Sequence, residues 1–302
     1  MKTSNKNLAP ICLFTFNRLD ETIKTVEALK KNHLALYSEL YIFSDGPKND
    51  IQKTKINEVR NYLHTIDGFK NVTIIESTIN IGLANSIING VSKVIKTHSR
   101  VIVIEDDLVT SSNFLDFMNQ AIDFYKNDKN VISISGFTLP LPGLKSCNQD
   151  YYFGVRASSW GWGTWQDRWE DVDWEMKNYD KFIQQKPLRR KFREGGSDMV
   201  RMLNNQNKGK IDSWAIRFCF HQFNKGMFTV FPSKSKIYSI GFSKDATHTK
   251  SVSRFDTKLD DSDQRQFLFK LYENPDKQLL KEFRSFFSIQ KRLLDKVKSI
   301  FS

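Results

Sequence analysis

Cysteine is scarce: three residues in 302, Cys12, Cys147 and Cys219, far apart and never in a C-x-x-C pair. That argues against a disulfide framework or a structural zinc site and suits a reducing compartment. Long apolar runs are missing too. The one near the start, residues 8–16, contains Pro10, stops at Asn17-Arg18 and shows no small-residue cleavage site, so neither a membrane span nor a signal peptide is read there. No GxGxxG follows the first apolar run, which argues against a dinucleotide site, and no GxxxxGK[ST] occurs, which excludes a P-loop. No Ser/His/Asp or Cys/His constellation stands out. What is present is a globular mix, 39% apolar and 26% charged, long enough for one large domain or two small ones. The net charge of +12 leaves nucleic acid, a membrane surface and anionic small substrates open as partners.

The first third alternates two hydrophobic periods. Short apolar runs at 10–16, 40–43, 72–75 and 101–104 read as strands. Helical spacing fills the stretches between them, near 20–31, 51–63 and 84–96. A βαβαβαβ order with strands apolar on both faces predicts a mostly parallel sheet covered by helices. Ligands of such sheets bind outside the carboxyl ends of the strands. Here those ends are Thr15 to Arg18, Asp45-Gly46 and Glu105-Asp106-Asp107.

The acidic triplet is the sharpest feature. Three consecutive carboxylates repel one another unless something positive sits among them. A hard divalent cation bridging substrate phosphates would suit, because Mg²⁺ or Mn²⁺ prefers oxygen ligands and keeps positions open. The alternative is a solvated acidic turn that also caps a helix from about Ser111 to Tyr125.

Several short blocks together resemble GT-A glycosyltransferases, the bacterial surface-polysaccharide enzymes related to N-acetylglucosaminyltransferase I. They are Phe14-Thr-Phe-Asn-Arg18, Phe43-Ser-Asp-Gly-Pro-Lys48, Asn80-Ile-Gly-Leu-Ala-Asn85 and Ile104-Glu-Asp-Asp107. Ser158-Ser-Trp-Gly-Trp-Gly163, Asp212-Ser-Trp214, Ile240-Gly-Phe242 and Thr247-His248 continue the series, in the family's order, across most of residues 8–250. The resemblance implies a GT-A α/β fold, a nucleotide-sugar donor that is UDP-linked, and Mn²⁺ or Mg²⁺. It implies a glycan or lipid-linked acceptor in polysaccharide synthesis, at the cytoplasmic face of the membrane. The triplet then stands in the place of the family's DxD motif, with Asp107 on the metal and Asp106 and Glu105 on the sugar and ribose. Thr15, Asn17, Arg18 and Asp45 would contact the nucleotide. Asn80, Gly82, Leu83 and Asn85 would approach the ribose or diphosphate. His248 falls in a segment similar to the family's closing loop and would complete the metal shell. Asp45-Gly46-Pro47 also reads as a plain turn, and His248 as an exposed loop residue.

The middle third concentrates five of the six tryptophans, Trp160, Trp162, Trp165, Trp169 and Trp174. Trp160-Gly-Trp162 suggests a tight turn that displays rings for an acceptor sugar, whose C–H faces pack on aromatic planes. The other three read as packing. Inverting transfer needs one general base, and Asp212 matches the family's Asp-x-Trp segment. An Asp before the helical stretch 214–223 is equally a natural N-cap. The family's arginine four residues further on is absent: Ile216 stands there, with Arg217 next.

The expected division is a catalytic domain over 1–254, with a donor half at 8–125 and an acceptor half at 126–254. A helical tail follows over 255–302. Phe283, Phe286, Phe287, Leu293, Leu294, Val297, Ile300 and Phe301 recur at helical spacing opposite Lys and Arg. That pattern suits either peripheral contact with an anionic membrane through 279–302 or docking on the protein's own core. Of the net +12, residues 180–210 carry +6 and 279–302 carry +4, so the strand-end region is not a basic groove and nucleic acid is not expected. A sugar-phosphate nucleotidyltransferase, or a non-catalytic basic binder of nucleic acid or membrane, stands as the alternative.

Overall fold

A computed structural model describes residues 7–241, 255–288 and 290–291. The first four strands form as the two periods predict. They are β1 (Ile11–Thr15), β2 (Glu39–Ser44), β3 (Asn71–Glu76) and β4 (Arg100–Glu105), linked by helices α1 (Leu19–Lys30), α2 (Asp50–Leu63) and α3 (Leu83–His98). All pair in parallel, in the order β3-β2-β1-β4. Alternation decides which face each side chain meets. Ile11, Leu13, Ile102 and Ile104 pack under α1 and α2 with Val26, Leu29, Val59 and Leu63. Cys12, Phe14, Val101 and Val103 pack under α3 with Ile87, Val91 and Ile95. Residues 20–31 therefore form a helix because their apolar positions meet one face of a sheet.

The chain continues through β5 (Leu108–Thr110), α4 (Phe114–Tyr125), β6 (Val131–Ser135), β7 (Tyr151–Gly154) and β8 (Trp162–Trp165). Short helices α5 (Gln166–Glu170), α6 (Tyr179–Gln184), α7 (Lys186–Phe192) and α8 (Met199–Asn207) follow. After them come α9 (Trp214–Lys225), β9 (Phe228–Pro232), β10 (Ile237–Ser239) and α10 (Lys277–Phe286). The main sheet is β3-β2-β1-β4-β8-β6-β9-β7. Only β8 and β7 run against the rest. The result is the expected α/β architecture, a large, mostly parallel sheet flanked by helices. One sheet is continuous across the two expected halves, since β8 hydrogen-bonds β4. β5 and β10 make a separate antiparallel pair.

The segment after residue 254 differs from expectation. Residues 255–276 form no helix; they run as a strap across α4 and β7. Phe267 stacks edge-on against Phe117 at 5.2 Å, and the Phe267 amide donates to the Gln120 side chain at 3.1 Å. The Tyr272 amide donates to Asp128 at 2.8 Å. At the strap's root Lys236 and Asp260 form a buried ion pair, 2% and 6% exposed. Asn113 and the Ser262 amide also donate to Asp260. Burial alone would raise the Asp260 carboxyl, but these donors and the Lys236 charge hold it at about 2. This contribution to stability is therefore present above the ordinary carboxylate range and is lost as pH falls toward about 2. Lys236→Ala leaves a buried carboxylate unpaired and is expected to cost about 3–5 kcal/mol, read as a fall in urea midpoint with unchanged slope.

α10 settles half of the tail question. Leu279, Phe283 and Phe287 are buried against the protein's own core, with Phe283 against Phe231 at 5.7 Å. Asp276 caps the helix, and Glu282 accepts from the Gly143 amide at 2.8 Å. The apolar face of 279–288 is thus occupied and unavailable to a membrane, which corrects that part of the expected surface. Residues 292–302 lie outside the described residues. Among the described residues, no helix is long and apolar enough to cross a membrane.

Candidate active site

From β1 the chain steps outward to β2 and β3, then returns to place β4 on the other side of β1. The β1/β4 seam is therefore the sheet's topological switch point, where the crevice beyond the strand ends accepts ligands. The structure brings Thr15 to Arg18 together with Glu105 to Asp107 at this place. Arg18 donates to Asp107 Oδ2 at 3.0 Å. The Phe16 amide donates to Asp106 Oδ2 at 3.1 Å, and the Thr25 hydroxyl to the Asp106 carbonyl at 2.9 Å. Glu105 continues the Val101–Val103 row, so it faces the α3 side of the sheet. The buried Thr15 hydroxyl has no hydrogen-bond partner among the described residues.

Three carboxylates share one guanidinium, and their ionisation reflects it. Burial, with the charges of Asp107 and Asp106 added, pushes Glu105 up to about 8. Burial and Asp107 push Asp106 up to about 7. Asp107 is raised by burial and partly restored by Arg18. Arg18 alone cannot neutralise all three carboxylates, so their full ionisation calls for a further positive charge in the crevice. Among the described residues no three His, Cys, Asp or Glu side chains converge as a preformed metal cage. The donor set fits a cation held by one or two carboxylates and completed by water and substrate phosphate, the way Mg²⁺ and Mn²⁺ are commonly bound.

A second loop pair flanks the crevice. Asp45 is 7% exposed, and both its oxygens are committed. Oδ1 accepts from the amides of Gly46 (2.8 Å) and Ile81 (3.0 Å); Oδ2 accepts from Asn80 Nδ2 (3.0 Å) and the Gly82 amide (3.1 Å). Gly82, at φ 78°, opens α3 with no side-chain cap; the left-handed backbone there favours glycine. Leu83 and Asn85 are exposed in the helix's first turn, with Asn85 donating to the Ile81 carbonyl. Asn17 is partly exposed beside Arg18.

Gly241 was legible only as part of Ile240-Gly-Phe242. A Cβ on it would lie 2.1 Å from Asp107 Oδ2, and the Ile240 amide donates to the Asp107 carbonyl at 2.9 Å. The turn that follows β10 therefore presses a glycine against the carboxylate expected to hold the metal. Gly241→Ala is expected to displace that carboxylate and lower turnover on the order of 100-fold while Tm stays within a few degrees of wild type, measured side by side. His248 lies outside the described residues.

Asp212 sits just before α9 and is exposed, paired with Arg217 Nη2 at 3.0 Å. The N-cap is Ser213, whose hydroxyl accepts from the Ile216 amide, so Asp212 is free of the capping role the sequence allowed it. Arg217 is held by Asp212 and the Ser213 carbonyl. Trp162 corrects the sequence reading: it is 1% exposed, stacked on Trp214 at 4.7 Å, and cannot display its ring to an acceptor. The period-2 position that pairs it with Val103 turns it into the α3-side core. Trp160 stays partly exposed, edge-on to Phe137 at 4.5 Å, and Gly161 at φ 58° makes the turn between them. Trp165 and Trp169 are buried packing, as expected.

Trp160 lines a cavity of about 290 Å³ with Phe137, Ser213, Phe231, Phe283 and Phe287. The one charged wall residue among the described residues, Arg156, is neutralised by Asp198 (3.0 and 3.2 Å) and covered by the Phe287 ring at 4.2 Å. Sequence reasoning missed this cavity because its walls come from the 137, 156–160, 213–219 and 283–287 segments, which no local period connects.

No protein-family model matches the chain, and no curated protein matches it. Among solved structures, it is similar to the mannosyltransferase PcManGT from Pyrobaculum calidifontis in complex with GDP-Man and Mn²⁺. That match has 12% identity and a TM-score of 0.39 over 56% of this chain and 48% of that one. It is also similar to TarS from S. aureus, at 13% identity and a TM-score of 0.31 over 42% of this chain and 21% of that one. The chain thus spans about half the length of the first and a fifth of the second. Likeness this partial leaves function to the geometry of the strand ends.

Proposed function

We propose that this chain is an inverting, metal-dependent glycosyltransferase of the GT-A type. It moves a hexosyl group from a UDP-linked sugar to a glycan or lipid-linked oligosaccharide, at the cytoplasmic face of a membrane, in surface polysaccharide synthesis. The observation that carries this reading is the acidic triplet at the β1/β4 switch point, three adjacent carboxylates beside a single guanidinium, that of Arg18. A nucleotide diphosphate with its cation offers both the positive charge the carboxylates need and an anion for Arg18. Asp107 would hold the cation, with His248 as its second protein ligand. When bound, the cation supplies neutralisation of the leaving diphosphate. Glu105 and Asp106 accept from sugar and ribose hydroxyls. Thr15 offers its unpartnered hydroxyl, and Asn17, Asn80, Gly82, Leu83 and Asn85 shape the nucleotide's surroundings.

In the transfer, an acceptor hydroxyl oxygen forms the new bond to the anomeric carbon as the bond from that carbon to the diphosphate oxygen breaks. The hydroxyl proton goes to the Asp212 carboxylate, and the electron pair leaves with the diphosphate. Trp160 offers the acceptor sugar an apolar face at the mouth of the cavity. Because Arg156 is already neutralised, the cavity favours a neutral sugar over an anionic one. The test is a thermal-shift panel of nucleotide sugars with Mn²⁺. A UDP-sugar should raise Tm in wild type and not in Asp107→Ala; equal shifts in both proteins, or none in either, would remove the donor-site assignment.

A further inference from the structure

We propose that Asp45 is a positioning residue for the nucleotide and does not read its base; the inference rests on the donor-site reading above. A carboxylate has about four lone-pair directions. Asp45 fills four with protein donors, the amides of Gly46, Ile81 and Gly82 and the Asn80 side chain, all within 2.8–3.1 Å. A base N–H could bond Asp45 only by displacing one of these from a site that is 7% exposed.

The surrounding contacts give the carboxylate a different task. A Cβ on Gly46 would lie 2.4 Å from the Ile79 carbonyl carbon, so the two loops cross backbone to backbone. Asn80 Nδ2 also donates to the Gly46 carbonyl at 2.9 Å. Behind them Arg60 donates to the carbonyls of Ser44, Asp45 and Ser77. The ends of β2 and β3 and the start of α3 are thereby stitched into one piece. Asp45 fixes the backbone of Ile81 and Gly82, and through it the first turn of α3, whose amides no side chain caps. Ile79 and Leu83 stand exposed on this piece, apolar surfaces that can meet the flat face of any base. Losing Asp45 should therefore weaken every nucleotide by the same factor, whereas losing a base reader weakens one nucleotide selectively.

Isothermal titration of the full chain with UDP, CDP and GDP in the presence of Mn²⁺ separates the two. Asp45→Asn turns one oxygen into an NH₂ that faces donors. Gly46→Ala disturbs the same crossing without touching any group able to bond a base. Each variant is expected to weaken all nucleotides that bind wild type on the order of 10- to 100-fold. The ratios among them should stay within about threefold of wild type, and the double variant should bind no more weakly than the worse single one. A selective change of more than tenfold for one nucleotide in Asp45→Asn would overturn the inference, as would unchanged affinities in Gly46→Ala. If Asp45→Asn does not fold, Gly46→Ala decides alone. A wild type that binds none of the three overturns the donor-site reading and this inference with it, whereas binding with shifted ratios overturns the inference only.

Discussion

Asp107→Ala should abolish measurable sugar transfer, a loss of at least about a thousandfold in kcat/KM, while the protein remains folded. The expectation follows from charge. Asp107 stands at the outer end of the triplet, with Arg18 3.0 Å away and the Gly241 backbone against it. It is the carboxylate best placed to share a cation with a diphosphate. Removing it leaves Arg18 without its carboxylate partner and the cation without its outer ligand. It also relieves repulsion on Glu105 and Asp106, so stability should hold or rise. Release of UDP from a UDP-sugar, followed beside a urea melt, reads both effects. Retained turnover would place the metal elsewhere, and a collapsed melt would mean that Asp107 is needed for folding.

Asp212→Asn should separate chemistry from binding. The substitution keeps shape and removes basicity, so kcat should fall about 10²- to 10⁴-fold with nucleotide affinity unchanged. Ser213, not Asp212, caps α9, which makes this a clean experiment: no helix terminus is lost with the carboxylate. The pair with Arg217 is open to solvent on the Asp212 side, which is 56% exposed, so its loss is expected to cost only about 1 kcal/mol of stability. A variant that transfers sugar at near-normal rate would take Asp212 out of the mechanism. One that loses nucleotide affinity would make it a donor contact.

Much of the fold was legible because two hydrophobic periods alternate cleanly through residue 125. Ile11, Leu13, Ile102 and Ile104 on one face, and Cys12, Phe14, Val101 and Val103 on the other, repeat a pattern that local sequence displays. β8 was less legible. It begins at Trp162, and Trp160-Gly-Trp162 reads as a turn offering rings to a ligand; only pairing with β4 and β6 shows that the second ring is core. The strap at 255–276 is illegible for a similar reason: it is expected as part of a helical tail, yet it runs extended, with Asp260 buried because Lys236, 24 residues earlier, meets it there. In the site, the strand-end residues could be named from the alternation alone. What each side chain touches could not: neither the four donors on Asp45 nor Gly241 against Asp107 leaves a trace in spacing.

The central claim is that the strand-end acids at β1/β4 hold a cation together with a nucleotide diphosphate. Water-proton relaxation in a Mn²⁺ titration, with and without UDP, tests it most directly. Wild type should give a saturable, one-site enhancement that strengthens when UDP is present, and Asp107→Ala should give none. Equal enhancement in the two proteins, or indifference of the wild type to UDP, would contradict the account.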